Sequence, residues 1–471
     1  MLDFVIFAVT FLTVLLVAII WLYPSSKKVT TIPGVDPSSK EDGNFSDIAR
    51  AGSLHEFLLD LHSQFGDIAG FWWGQTYVVS IASPELFKAH ANVFDRPTEL
   101  FRFIEPLISM QSLQFANGSD GRMRRKAYDR PFSHENLKKH FAEFQTIAGI
   151  VEKKWSKKSE SDHIPLGEDM ALFSVRATLL TLMGDSFQDE KLAQSVFNAY
   201  TKVWNEMEHR ITDPVPPGEN DARQKSFTEA LQYLKKTVKK VVEHREQNKL
   251  QDQQLLIDVI LQSTTDEDVL ISDVISYMVG AFHTSAYMLT WAMYFLATHP
   301  DIQSKLHSEI VQVLGQKDVV TDSNYGQLRY LYQVLQETLR CAVVAPWGAR
   351  VQDFDTELGG HKVPKNTPVI HALGVVMQDE KLWPLPQRFD PDRFSTEKSK
   401  DHPTYAFSPF GFAGKRICPG HKFAYNEATV LVATLIRKFE VSMWDDQVVK
   451  PVFGLVTHPQ EEIWLKVSKR K

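Results

Sequence analysis

The chain has 471 residues, with 52 Lys and Arg against 58 Asp and Glu (formal net charge −6), 43% hydrophobic and 23% charged. Such a composition is globular and supports a large buried core, and without a broad basic field it excludes nucleic acid as the main partner. Two cysteines, Cys341 and Cys418, are too few for a disulfide framework and point to a reducing compartment.

Residues 1–24 hold an uncharged run of twenty residues, Phe4 to Tyr23 (FVIFAVTFLTVLLVAIIWLY). A helix of that length, at about 1.5 Å per residue, crosses the ~30 Å core of a bilayer. Trp21 and Tyr23 sit where an interfacial aromatic belt would, and Lys27 and Lys28 follow, so the positive-inside rule leaves the rest of the chain cytosolic. A cleaved signal peptide is the competing reading. It fits less well, because the basic residues follow the apolar run and no small-x-small site closes it. In a cytosolic domain the sequons at Asn44 and Asn117 are chance matches.

Residues 25–40 are turn-rich and read as a linker. With no second linker and no internal repeat, 41–471 is expected to be one catalytic domain. SLHEFLLDLHSQFG, ending at Gly66, predicts an amphipathic helix, and FWWGQTYVVSIA predicts strand. The stretch 226–254 predicts a long helix whose lysines form a solvated face. Residues 266–300 predict a longer one, largely apolar from Val269 to Ala297 with polar Gly280, His283, Thr284 and Ser285 at its middle. A buried central helix fits that pattern better than a second membrane span. TPVIHALGV and EIWLKV are the later strand candidates, so the fold class is mainly α with a minor β region.

Cys418 stands in PFGFAGKRICPG, residues 409–420. A lone cysteine is most simply a small buried hydrophobe, but here the surroundings favour a thiolate. Lys415 and Arg416 precede it, and Gly420 opens a helical pattern whose N-terminus brings a positive dipole end. Gly411 and Gly414 let the backbone approach a flat cofactor. One thiolate without neighbouring cysteine or histidine ligands is wrong for structural zinc or an iron–sulfur cluster and right for the fifth ligand of haem iron. In LQETLR, Glu337 and Arg340 share a helix face, by themselves an ordinary ion pair. WPLPQRFDPDRF carries Pro386, Phe389, Pro391, Arg393 and Phe394.

Together and in this order these segments resemble the cytochromes P450. That family has a long central helix with a Gly-x-x-Thr-type kink, a Glu-x-x-Arg helix, a Pro-x-x-Phe-x-Pro-x-Arg-Phe meander and a Gly-x-Arg-x-Cys-x-Gly loop. Ala424 and Glu427 match the helix after the cysteine. MLDFVIFAVTFL, SLHEFLLDLH and ALGVVMQDEKLWPLPQRFDPDRF further resemble family 20 of the animal enzymes.

The resemblance implies a membrane-anchored monooxygenase of the P450 fold. It implies haem b held by Cys418, with Arg416, Arg350 and Arg125 on its propionates and Gly414 and Gly420 shaping the loop. Glu337, Arg340 and Arg393 would be the structural triad, and Thr284 the family's proton-delivering alcohol. Electrons would come from NADPH through a flavoprotein reductase, with cytochrome b5 a second partner, docking near Lys415 and Lys422. The substrate would be small and lipophilic, facing Ala281, Phe282, residues 344–347 and the 99–115 loop, and the location the endoplasmic reticulum membrane.

Three positions depart from the pattern. Gly121 stands where the family has tryptophan. His283 replaces the acid before Thr284, leaving proton relay and a structural role both open. Gly411 stands where the family phenylalanine packs beside the haem, so the loop is expected to bulge at 411–412 with Phe410 or Phe412 taking that place. A reductase-independent enzyme acting on peroxides, and a haem sensor without turnover, remain the alternatives.

Overall fold

A computed structural model describes residues 6, 10–15, 30–159, 161–212, 218, 220–248, 255–317 and 319–470. Most of the expected 1–24 anchor and the start of the linker lie outside them. Ile6 and residues 10–15 are helical.

The domain divides into a small sheet-bearing region and a large helical one, each with its own buried cluster. In the first, helix α1 (Leu54–Phe65) is capped by Ser53, whose hydroxyl accepts from the Glu56 N–H, and stops at Gly66, where φ is +83°. Strands β1 (Ile68–Trp73) and β2 (Thr76–Ile81) form a hairpin. Strands β3 (Gly348–Arg350) and β4 (Val369–His371) complete a sheet of order β1–β2–β4–β3, in which β4 runs parallel to β2, pairing Val79 with Val369. The strand expected over TPVIHALGV ends at His371, and Leu373–Met377 is helix. Gly374 marks the change: a Cβ there would meet His55 and Val343 at 2.5 Å, so the chain must turn in close contact with α1.

The helical region is organised around α5 (Glu267–Thr298) and includes α2 (Gly118–Tyr128), α3 (Leu166–Thr178), α4 (Glu190–Thr212), α6 (Arg329–Ala342) and α7 (His421–Lys438). Asp266 caps α5, accepting from the backbone N–H of Asp268 and Val269. Among the described residues α5 is the helix long and apolar enough to cross a membrane. Its apolar residues are instead buried on several sides against α3, α6 and α7, so it is a core helix and not a second span. Asp273, buried near its start, accepts from the Leu113 N–H at 2.5 Å and the Tyr128 hydroxyl at 2.8 Å, tying the 109–117 loop and α2 to the centre. The charged helix expected from 226 begins earlier, at Ala222, and runs to Gln247.

Candidate active site

A cavity of about 380 Å³ lies between α5, α7 and the loops 96–114, 344–350 and 409–420. Its lining is mostly apolar, including Phe101, Ile104, Ile108, Met288, Val344 and Trp347. Phe101 and Trp347 stack at 5.3 Å. Ala281, Thr284 and Ser285 face it from α5 and Phe423 and Ala424 from α7.

Cys418 forms part of the wall with Pro419 and Gly420. Its N–H donates to the Phe410 carbonyl at 3.0 Å, folding the loop back on itself. Burial pushes the thiol up, while the Gly420 N–H and the guanidinium groups of Arg125 and Arg96 oppose that by stabilising a thiolate. A Cβ on Gly420 would lie 3.8 Å from the sulfur.

The bulge predicted from sequence forms at Gly411, where φ is +74° and the N–H donates to the Ser408 carbonyl at 3.0 Å. This sends the two phenylalanines apart. Phe410 lines the cavity and lies 5.4 Å from the Tyr425 ring. Phe412 turns to the sheet, stacking on Phe87 at 4.5 Å and His371 at 4.6 Å, so of the two candidates it is Phe410 that flanks the cysteine. Gly414 is not among the lining residues. Its φ of +58° and its close approach to the Val93 carbonyl are what require glycine there.

Four arginines converge on one end of the cavity: Arg96, Arg125, Arg350 and Arg416. Arg125 donates to Asp129 at 3.0 Å and to the Ile417 carbonyl at 2.8 Å. Arg416 donates to the carbonyls of Leu113, at 3.2 Å, and Ala116, and lies over the Phe94 ring at 4.5 Å. Burial first, then mutual repulsion, lowers Arg350 and Arg416 to about 9, and the Nε atoms of both are buried without a partner. Such a cluster calls for an anionic ligand. Arg96 was not singled out from sequence. The fold brings it in from a distant segment, and its one sequence signal is the Asp-Arg-Pro stretch it occupies.

Gly121 has a structural explanation. A Cβ there would collide with the Ala116 carbonyl and come within 2.8 Å of Arg416 Nη2, so a tryptophan is excluded by the carbonyl that holds Arg416.

On α5, the Thr284 hydroxyl donates to the Gly280 carbonyl at 2.6 Å and faces the cavity. His283 points elsewhere, as expected for residues about 100° apart on a helix. Its ring sits among Tyr200, Trp204 and Tyr287, at 5.1, 4.8 and 5.4 Å, with Nε2 buried and unpartnered, and burial lowers it to about 3. A neutral ring in an aromatic nest corrects the relay reading and leaves the structural one. Phe282 likewise faces Tyr200, at 5.0 Å, and not the cavity.

Beneath the site, Glu337 accepts from Arg340 at 2.7 and 2.9 Å and pairs with Arg393 at 3.3 Å, bringing together the three residues expected as a triad. Asp390 N–H adds a bond to Glu337 at 3.0 Å, and Arg340 reaches the Pro386 and Met377 carbonyls at 2.7 and 3.1 Å.

The cytochrome P450 family model matches residues 37–467. The chain belongs to the cytochrome P450 family. It is a P450 monooxygenase, of a family whose cofactor is haem iron. Cytochrome P450 20A1 from Mus musculus is 37% identical over 470 residues, covering both chains completely, and the Homo sapiens protein 34% over the same span. Cytochrome P450 4V2 from Mus musculus is 33% identical over 222 residues, 45% of this chain and 42% of that one. The residues around this P450's cavity fit haem: an apolar slot, one thiol in its wall and a cluster of arginines with unpartnered nitrogens for carboxylates.

Proposed function

We propose that the chain is a membrane-anchored haem-thiolate monooxygenase that places one oxygen atom of dioxygen into a small lipophilic substrate, using NADPH electrons passed through a flavoprotein reductase. The observation that carries it is Cys418 in the wall of an apolar cavity that also gathers four arginines. Haem bound there supplies the redox chemistry of oxygen activation. Cys418 would hold it as a thiolate, stabilised by the Gly420 N–H and nearby guanidinium groups. Arg96, Arg125, Arg350 and Arg416 would fix the propionates, and Phe410 would pack beside the sulfur. Thr284, which lines the cavity, would hand on a proton at its hydroxyl, while Phe101, Trp347 and their apolar neighbours would exclude water.

Lys415 and Lys422 are exposed on the Cys418 side and support docking of an acidic reductase, and of cytochrome b5, there. The uncharged run before Tyr23, with Phe11, Leu12, Val14 and Leu15 exposed, supports an anchor in the endoplasmic reticulum membrane and a cytosolic domain. Among the described residues no Asp, Glu or His lines the cavity, which favours reductase-independent use of peroxides as the second reading. Reconstitution with reductase in vesicles separates them. NADPH- and reductase-dependent dioxygen consumption is the expected result, and product formed from peroxide alone overturns it.

A further inference from the structure

We propose that Asp273 is a positioning residue of this site: by accepting the Leu113 N–H it fixes the loop whose carbonyls aim Arg416 into the cavity. The inference rests on the reading of that cavity as a haem site.

Residues 109–117 form neither helix nor strand. Their own hydrogen bonds close tight turns, from the Ser112 N–H to the Ser109 carbonyl at 3.2 Å and from the Phe115 and Ala116 N–H groups to the Ser112 carbonyl at 3.0 and 3.1 Å. These turns make no use of the Leu113 N–H, and a buried donor left unpaired is costly. Asp273 on the central helix α5 satisfies it. Its Oδ1 accepts from Leu113 at 2.5 Å, and its Oδ2 accepts from the Tyr128 hydroxyl at 2.8 Å and lies 3.5 Å from Arg124 Nη1. The same Arg124 nitrogen donates to the Gln111 carbonyl at 2.7 Å, which ties the loop to this carboxylate a second time. A bond to a carboxylate is a stronger tie than one between neutral groups. Asp273 has no exposure and does not line the cavity.

The carbonyl side of the loop holds the arginine. Leu113 C=O accepts from Arg416 Nη1 at 3.2 Å, Gln114 C=O from the same nitrogen at 3.5 Å, and Ala116 C=O from Nη2. Arg416 Nε has no partner, so these carbonyls set the direction of the guanidinium. One residue, Leu113, is therefore held at its N–H by the central helix while its C=O holds the arginine of the cysteine loop. Leu113 and Arg416 both line the cavity. Asp273 touches no reacting group and acts through the loop.

The test compares full-length D273A with D273N, whose amide oxygen can still accept from Leu113. D273L takes the place of D273A if that chain does not fold. Hydrogen exchange over 109–117 should show the Leu113 amide opening about 10-fold more often in D273A, as for a lost hydrogen bond to a charged group, and near the wild-type rate in D273N. Transfer of haem to excess apomyoglobin should be about 10-fold faster from D273A and again near wild type from D273N. Y128F removes the other hydrogen bond to Asp273 but leaves Leu113 seated. It should lower the urea midpoint without speeding haem transfer, which separates positioning from general stability. In R416K, whose ammonium cannot span the three carbonyls, adding D273A should speed transfer by about 2-fold at most. Wild-type exchange or transfer in D273A, equal acceleration in Y128F and D273A, or an undiminished D273A effect in R416K overturns the proposal and leaves the haem reading standing. A wild type that takes up no haem overturns both.

Discussion

Arg340 grips Glu337 with two parallel hydrogen bonds, 2.7 Å from Nε and 2.9 Å from Nη2, and neither side chain has measurable exposure. The pair is more than a helix-face contact. The same guanidinium holds the carbonyls of Met377 and Pro386, and the same carboxylate holds Arg393 and the Asp390 N–H. One planar, always-charged fork thereby fastens the 377–393 meander to the helix below the cavity.

Breaking one side of a buried pair leaves an uncompensated charge, which costs about 3–5 kcal/mol. E337Q, which leaves buried guanidinium charge uncompensated, is expected to lose that much in urea denaturation, and R340K, which keeps a charge but cannot span the acceptors that Arg340 reaches, about 1–3 kcal/mol. R393K, at a single 3.3 Å contact that leaves Arg340 on Glu337, should lose less. Midpoints for E337Q and R340K close to wild type would show that the network is ornamental.

Gly121 sets the position of Arg416. Because an added Cβ would strike the Ala116 carbonyl that Arg416 uses, G121A should displace both and cost about 1–3 kcal/mol, the usual range for overpacking. Transfer of haem to excess apomyoglobin should be faster from G121A than from wild type. An equal rate would mean that Arg416 does not depend on this contact.

Acid should destabilise the domain through its buried histidines. Burial lowers His283 to about 3 and His55 and His90 to about 4, against an ordinary 6.5. Between those values the unfolded chain binds protons that the folded one does not, so stability is full above about 6.5 and falls as pH drops below it. Each such ring contributes a loss of about 1.4 kcal/mol per pH unit in that window. H283F, which keeps a ring in the nest, should lose about 2 kcal/mol less than wild type between pH 6.5 and 5. Denaturant midpoints across that range check it, and parallel curves would contradict it.

The features legible in sequence were those fixed by local spacing. Glu337 and Arg340 share a helix face because they are three residues apart, and Cys418 announces itself by the glycines and basic residues beside it. The extra residue at Gly411 was visible as a shifted phenylalanine, but which ring would take its place depended on a φ of +74° and on space beside Phe87 and His371. His283 and Thr284 are neighbours in sequence yet face opposite environments, so adjacency alone suggested a pair that helix geometry separates. Arg96 carries no strong local signal for its place around the cavity. Its surroundings are set by a segment hundreds of residues away, through the approach of Arg416 to the 96–114 loop.

The central claim is that Cys418 supplies a thiolate to haem iron. The most direct measurement is the carbon monoxide difference spectrum of the dithionite-reduced full-length protein, wild type beside C418A. Wild type should give the long-wavelength Soret band of thiolate-ligated haem, and C418A should lose it. A wild type without that band, or a C418A protein that keeps it, would contradict the assignment.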